Sequence, residues 1–183
     1  NADDLQAALA DAHHRLGLIA ADLGETEKAS DECRQAIAIY ERLVKTSDQA
    51  KQYEPPLATC YNNLGLQCWE IGKLDESLQA FDRALAIHER LARDNPSIHR
   101  HQDDVAITYM NIGNSHKRMG SLGPANNAYQ KARQVEEELL RKQPNVTRYQ
   151  DSLAKICLNI GVLERIFKNF TESLAAYQRA IGL

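Results

Sequence analysis

Residues capable of chemistry are scattered through this 183-residue chain, and their spacing eliminates most of them. His88-Glu89 opens like a helical zinc-protease motif, which needs a second His four residues after the first. Position 92 is Ala, and the equivalent pair one repeat earlier is Tyr40-Glu41, so a helix surface is expected there. His13-His14 and His99-x-His101 share no helical face, because facing neighbours are three or four residues apart; solvated or first-turn histidines are expected. Gly72-Lys73 lacks the upstream glycine of a phosphate loop, and neither GxSxG nor a paired CxxC occurs. Ala20, Cys68, His116 and Glu164 fall in one column of equivalent positions. Equivalent helices in a stack lie about 8–10 Å apart, whereas metal ligands must sit about 2.3 Å from one ion. The chain therefore reads as non-enzymatic, with no metal and no cofactor.

One polar column is different. Arg15, Asn63, Asn111 and Asn159 each precede a glycine by two residues. Asn is a poor helix former, so three copies in mid-helix need a cause. Either they hydrogen-bond between repeats, or they face a bound segment, whose backbone an amide can pair with as both donor and acceptor. Neighbours at helical spacing extend the candidate binding face: Asn62, Leu66 and Trp69, then Asn114, Lys117 and Arg118, then Lys155, Val162 and Arg165. The later residues form a basic cluster that favours an acidic or carboxylate-bearing partner. Asp103, Asp104 and Asp151 are left to the helix dipole, which favours acids in a first turn.

The elements that must position these side chains follow from an internal repeat of about 48 residues. Leu16-Gly17, Leu64-Gly65, Ile112-Gly113 and Ile160-Gly161 recur at one constant interval, without insertion. The same register aligns Gly24, Gly72, Gly120 and Lys168, and again Ala36, Ala84, Ala132 and Ala180. A further column is Cys33, Phe81, Tyr129 and Tyr177. Each unit reads as two amphipathic helices. In the third, one runs from Ile98 to Met119, Gly120–Pro124 breaks it, and a second runs to Lys142 before Gln143-Pro144. Pro55-Pro56 is expected to shorten the start of the first helix in unit two. One domain of four units, 1–47, 48–95, 96–143 and 144–183, is expected, cut from a longer array.

These columns resemble the tetratricopeptide repeat, whose signature includes an aromatic, two residues, Leu-Gly, and later Ala-x3-aromatic. Tyr61-x2-Leu64-Gly65 with Ser77-x3-Phe81 and Ala84 carries it, as does Tyr109-x2-Ile112-Gly113 with Ala125-x3-Tyr129 and Ala132. The usual period is about 34 residues. Each unit here is longer by roughly two helical turns per helix, at about 3.6 residues per turn. That length is similar to kinesin-light-chain arrays and to bacterial arrays attached to signalling enzymes. The resemblance implies an all-α fold, an α-α superhelix or solenoid of four stacked antiparallel helical hairpins. It also implies a protein-interaction scaffold that takes a peptide or helix in its groove, with Asn63, Asn111 and Asn159 on the groove side.

Composition excludes other classes. Twenty-two basic and 25 acidic side chains give a charge of −3, without the basic excess a nucleic-acid binder needs. Mean hydropathy is −0.51 and no apolar run suits a membrane span. Four scattered cysteines suit reduced thiols and a cytoplasmic setting. Two alternatives stay open: self-association through uncapped solenoid ends, and a regulatory role within a larger signalling enzyme such as a Ser/Thr kinase.

Overall fold

The sequence repeat reappears as helical hairpins in a computed structural model that describes residues 2–183. Among them are eight α-helices and no strand: α1 Ala2–Asp22, α2 Thr26–Thr46, α3 Ala50–Glu70, α4 Leu74–Asp94, α5 His99–Arg118, α6 Leu122–Lys142, α7 Thr147–Ile166 and α8 Phe170–Ile181. Two compact units emerge, Asn1–Leu91 and Ala92–Leu183, with the boundary in the last turn of α4. In the first, α1 and α3 touch and α2 packs on both; in the second, α5, α7 and α6 repeat that arrangement.

Each hairpin turns in the same way. Gly24, Gly72 and Gly120 adopt positive φ of 77°, 80° and 76°, and Lys168 does so at 64°. The left-handed residue lets the chain reverse while two N–H groups return to the last helical carbonyls. In α3 these bonds are Gly72 N–H to Trp69 O at 3.1 Å and Lys73 N–H to Cys68 O at 2.8 Å. Lys168 and Asn169 make the same pair to Arg165 and Glu164, at 3.1 and 2.8 Å.

The repeat glycines set the depth of the hairpin. A Cβ on Gly65 would lie 2.5 Å from the Phe81 ring, one on Gly113 2.5 Å from Tyr129, and one on Gly161 2.8 Å from Tyr177. The aromatic ring therefore packs directly against bare backbone. Ser77 and Ser173 add an Oγ–H bond of 2.8 Å to the carbonyls of Gly65 and Gly161. Cores are correspondingly apolar: Ile37, Tyr40 and Leu43 of α2 cluster with Tyr53 and Leu57 of α3, and Tyr129 of α6 with Ile156, Ile160 and Leu163 of α7.

Three expectations are corrected. Pro55 and Pro56 do not shorten α3, which spans 21 residues like α1, α2 and α4. The carbonyls they leave without a donor belong to Lys51 and Gln52, which are exposed and can be met by water. Position 88 is not on the surface. Tyr40, His88 and Glu136 are equivalent and buried, at 2%, 5% and 0% exposure, because each lies four residues after a core alanine. Asp103 is not held by the helix dipole. It is 1% exposed, accepts from Arg148 Nε at 2.5 Å, and faces Glu136. Neither Glu136 oxygen meets a donor among the described residues, and burial beside Asp103 pushes the Glu136 carboxyl up to about 9.

Candidate functional site

The residues singled out by pattern lie on the first helix of each hairpin, and each unit assembles its own share. In the second unit, α5 contributes Asn111, Asn114, Lys117 and Arg118, and α7 contributes Lys155, Asn159 and Arg165. These helices touch. Lys117 Nζ donates to Asn159 Oδ1 at 2.7 Å and lies 5.8 Å from the centre of the Tyr129 ring. Burial pushes the Lys117 ammonium below the ordinary lysine range. The Tyr129 hydroxyl donates to Asn114 Oδ1 at 2.7 Å, and burial pushes that phenol well up.

These two bonds determine what the amides can offer. An Asn side chain has one acceptor oxygen and one two-proton donor. With both oxygens engaged by donors of the protein, Asn114 and Asn159 offer N–H groups. Lys155, Arg165 and Arg118 are exposed on the same helices and add positive charge. Asn111 is different: at 7% exposure it presents little of its amide.

In the first unit the polarity is reversed. The Asn63 Nδ2 group lies 2.8 Å from His14 Nε2. Burial, opposed by Asp11, lowers the His14 pKa, so the neutral ring accepts the amide proton and the Asn63 oxygen stays available. On the same helix as Asn63, Asn62 and Trp69 are partly buried, and Leu66 and, on α1, Leu18 are exposed, at 37% and 44%. Sequence reasoning passed over His14 as solvated. Its signal was faint: His14 shares the register of Asn62, three residues before the repeat glycine. His13 is likewise engaged, with Glu32 at 2.6 Å.

Two hollows lie elsewhere, in equivalent positions two repeats apart. One, of 220 Å³, is lined by Arg34, Tyr61, Cys68, Glu76 and Arg83; the other, of 310 Å³, by Gln130, Cys157, Glu164, Glu172 and Arg179. Neither includes an Asn of the column. Among the described residues, no group of three or more His, Cys, Asp or Glu could hold a metal ion.

A family model described as tetratricopeptide repeat matches residues 8–90. Residues 8–90 are thus of the tetratricopeptide-repeat type. Solved repeat structures agree on the fold. BtubC (BKLC) from P. vanneervenii aligns with a TM-score of 0.76 and 19% identity over 94% of this chain. Apo RapI aligns at 0.74 and 14% over 96%. The Rap conjugation gene regulator of plasmid pLS20, solved in complex with the Phr* peptide, aligns at 0.67 and 19% over 96%. The chain spans 61% of the BtubC structure and 42% of each Rap structure. No curated protein sequence matches it. No described helix is long and apolar enough to cross a membrane.

Proposed function

We propose that this tetratricopeptide-repeat chain is a non-catalytic, cytoplasmic scaffold that binds an acidic peptide segment of a partner protein across the first helices of its second unit. One observation carries this reading: Lys117 and Tyr129 engage the amide oxygens of Asn159 and Asn114, leaving N–H donors on helices that also carry the exposed Lys155 and Arg118. A surface of donors and cations selects ligands made of acceptors, and a carboxylate is the strongest of these. Support also comes from a structural neighbour of the same fold that is described with a bound peptide. Four buried free thiols suit a reducing compartment.

Fluorescence anisotropy with labelled Asp/Glu-rich peptides, against Lys-rich and Gln-rich controls, tests the reading. Acidic peptides should bind with micromolar Kd, a binding free energy of about −8 kcal/mol. Asn159→Asp keeps the size and the Lys117 contact but replaces donors by an acceptor, and should weaken binding by about tenfold or more, about 1.4 kcal/mol. Equal binding of all three peptide classes, or an Asn159→Asp variant that binds as well as the parent, overturns it.

A further inference from the structure

The first unit holds a third hollow, of 370 Å³, between α1, α2 and α3. Asp4, Ala7, Ala8 and Asp11 of α1 line it, with Tyr40 of α2 and Tyr53 of α3, and no basic side chain does so among the described residues. The two rings lie 6.5 Å apart, tilted by 34°. The Tyr40 hydroxyl donates to Asp11 Oδ1, so the second carboxylate oxygen can accept from another donor. Tyr53 is 5% exposed, and its hydroxyl makes no hydrogen bond among the described residues. Carboxylate, ring face and an idle buried hydroxyl together suit a cation that carries several N–H groups.

The second unit shows which cation this corner of the fold accommodates. Two repeats on, Asp103 and Asp104 stand for Ala7 and Ala8, Arg148 for Gln52, and Tyr149 for Tyr53. There the guanidinium of Arg148 reaches from α7 to α5, with Nε 2.5 Å from Asp103 and Nη2 3.6 Å from Asp104. In the first unit two alanines and a glutamine occupy those positions, which leaves the space open. Its acids lie about one turn to either side, at Asp4 and Asp11. The carboxylates are present and the arginine is not. Residues 1–91 hold nine basic and sixteen acidic side chains, a balance of −7, which draws cationic segments towards this unit.

The hollow faces the helix that follows α1, not one that might precede it. A preceding second helix packs on the side of Leu5, Leu9 and Leu16: the equivalent of Leu9 on α3 is Leu57, which clusters with Ile37, Tyr40 and Leu43 of α2. Positions 4, 7, 8 and 11 lie roughly a third of a turn away, at 3.6 residues per turn. Their equivalents on α5 include Asp103 and Asp104, which meet Arg148 of α7.

We propose that this hollow is a binding site for an arginine side chain of a partner protein, with the guanidinium against Asp11 and Tyr53 and the aliphatic stem on Ala7 and Ala8. Arginine is favoured over lysine because a planar guanidinium stacks on a ring while donating a fork of N–H groups to a carboxylate. The site is opposite in charge to the acidic-peptide surface of the second unit and stands or falls separately from it.

Amide NMR spectra of the whole chain, titrated with end-blocked Gly-Arg-Gly, Gly-Lys-Gly and Gly-Gln-Gly, read the outcome. The arginine peptide should shift amides of residues 4–11 and 52–56 and bind about tenfold or more tighter than the lysine peptide, with no binding of the glutamine peptide. Gln52→Arg with Ala8→Asp transplants the Arg148–Asp104 pair into the hollow. Both positions are exposed, so this filled variant should fold, which a circular dichroism melt checks. It should bind the arginine peptide about tenfold or more weakly. Asp11→Asn keeps an acceptor for Tyr40 but removes the charge, and should also weaken binding, whereas Asn159→Asp should leave it unchanged. An arginine peptide that binds no tighter than the other two, that shifts only amides elsewhere, or that binds the filled variant as well as the parent overturns the proposal.

Discussion

The two units solve one packing problem with different polar chemistry. Both bury a polar tip at the same position of a second helix. In the first unit it is Tyr40, a neutral phenol that donates to Asp11. In the second it is Glu136, an acid facing a second buried acid, with Arg148 as the cation on Asp103. A phenol and an accessible carboxylate satisfy each other at little cost. Two acids and one cation fully satisfy each other only with a shared proton. The second unit should therefore be the more fragile towards loss of a partner and the more sensitive to pH.

The largest difference should follow from removing the cation. Arg148→Ala leaves Asp103 buried beside Glu136 and should cost about 3 kcal/mol, towards the low end for a broken buried pair because Arg148 is half exposed. Tyr40→Phe removes one hydrogen bond and should cost about 1 kcal/mol. Trp69 is the single Trp and belongs to the first unit, so urea titrations can separate the two. Arg148→Ala should move the circular dichroism midpoint more than the Trp emission midpoint, and Tyr40→Phe the reverse. Equal shifts in both signals would erase the distinction between the units.

The glycine–aromatic contacts are where the units should behave alike. Gly65→Leu and Gly113→Leu drive a side chain into Phe81 and Tyr129, each with a Cβ 2.5 Å from the ring. Each should destabilise its hairpin by about 1–3 kcal/mol, since overpacking a filled core forces backbone shifts. Thermal melts that separate the two by more than this range would show that one unit yields where the other does not.

The acid pair sharpens the comparison through pH. Burial first, then the hydrogen bond and charge of Asp103, push the Glu136 carboxyl up to about 9, with Arg148 opposing. An acid whose folded pKa is raised binds its proton more tightly when folded. Its stabilisation is complete below the unfolded value of about 4.3 and is lost as pH rises towards the folded one. The second unit should therefore lose stability progressively as pH rises from about 5 to about 9. Glu136→Gln donates an amide N–H to Asp103 at every pH and should flatten that decline. A chain whose urea midpoint is constant over this window would show that Glu136 is not protonated.

Much of this architecture was legible because it depends on residues that recur. The apolar-Gly pairs and turn glycines keep one register, and the turn closing α5 and the Gln143-Pro144 stop of α6 appear where the pattern puts them. Polar partnerships were not legible, for a physical reason. Asp103, Glu136 and Arg148 lie far apart in sequence on three different helices, and their meeting depends on rotation about each axis. An Asp near the start of a helix looks the same in sequence whether the dipole or an Arg holds it. His88 was misplaced by its neighbour Glu89, which is exposed while His88 faces in. The Asn column was visible as a column; the atoms engaging Asn63 and Asn159, His14 Nε2 and Lys117 Nζ, obey no repeat.

The smallest expected effect lies at the turns. Lys168 holds the left-handed position that Gly24, Gly72 and Gly120 occupy in the other hairpins, at φ 64°. A side chain there crowds its own carbonyl, at a cost of about 1 kcal/mol relative to glycine. Lys168→Gly should therefore stabilise the α7–α8 turn by about that amount, less a few tenths for the greater freedom of an unfolded glycine. Gly24→Lys should impose the same penalty on the first unit, where a Cβ would meet open space and only the backbone itself is strained. The paired melts form an internal control. If both substitutions destabilise, the Lys168 side chain makes a compensating contact, and the last turn is specialised instead of merely strained.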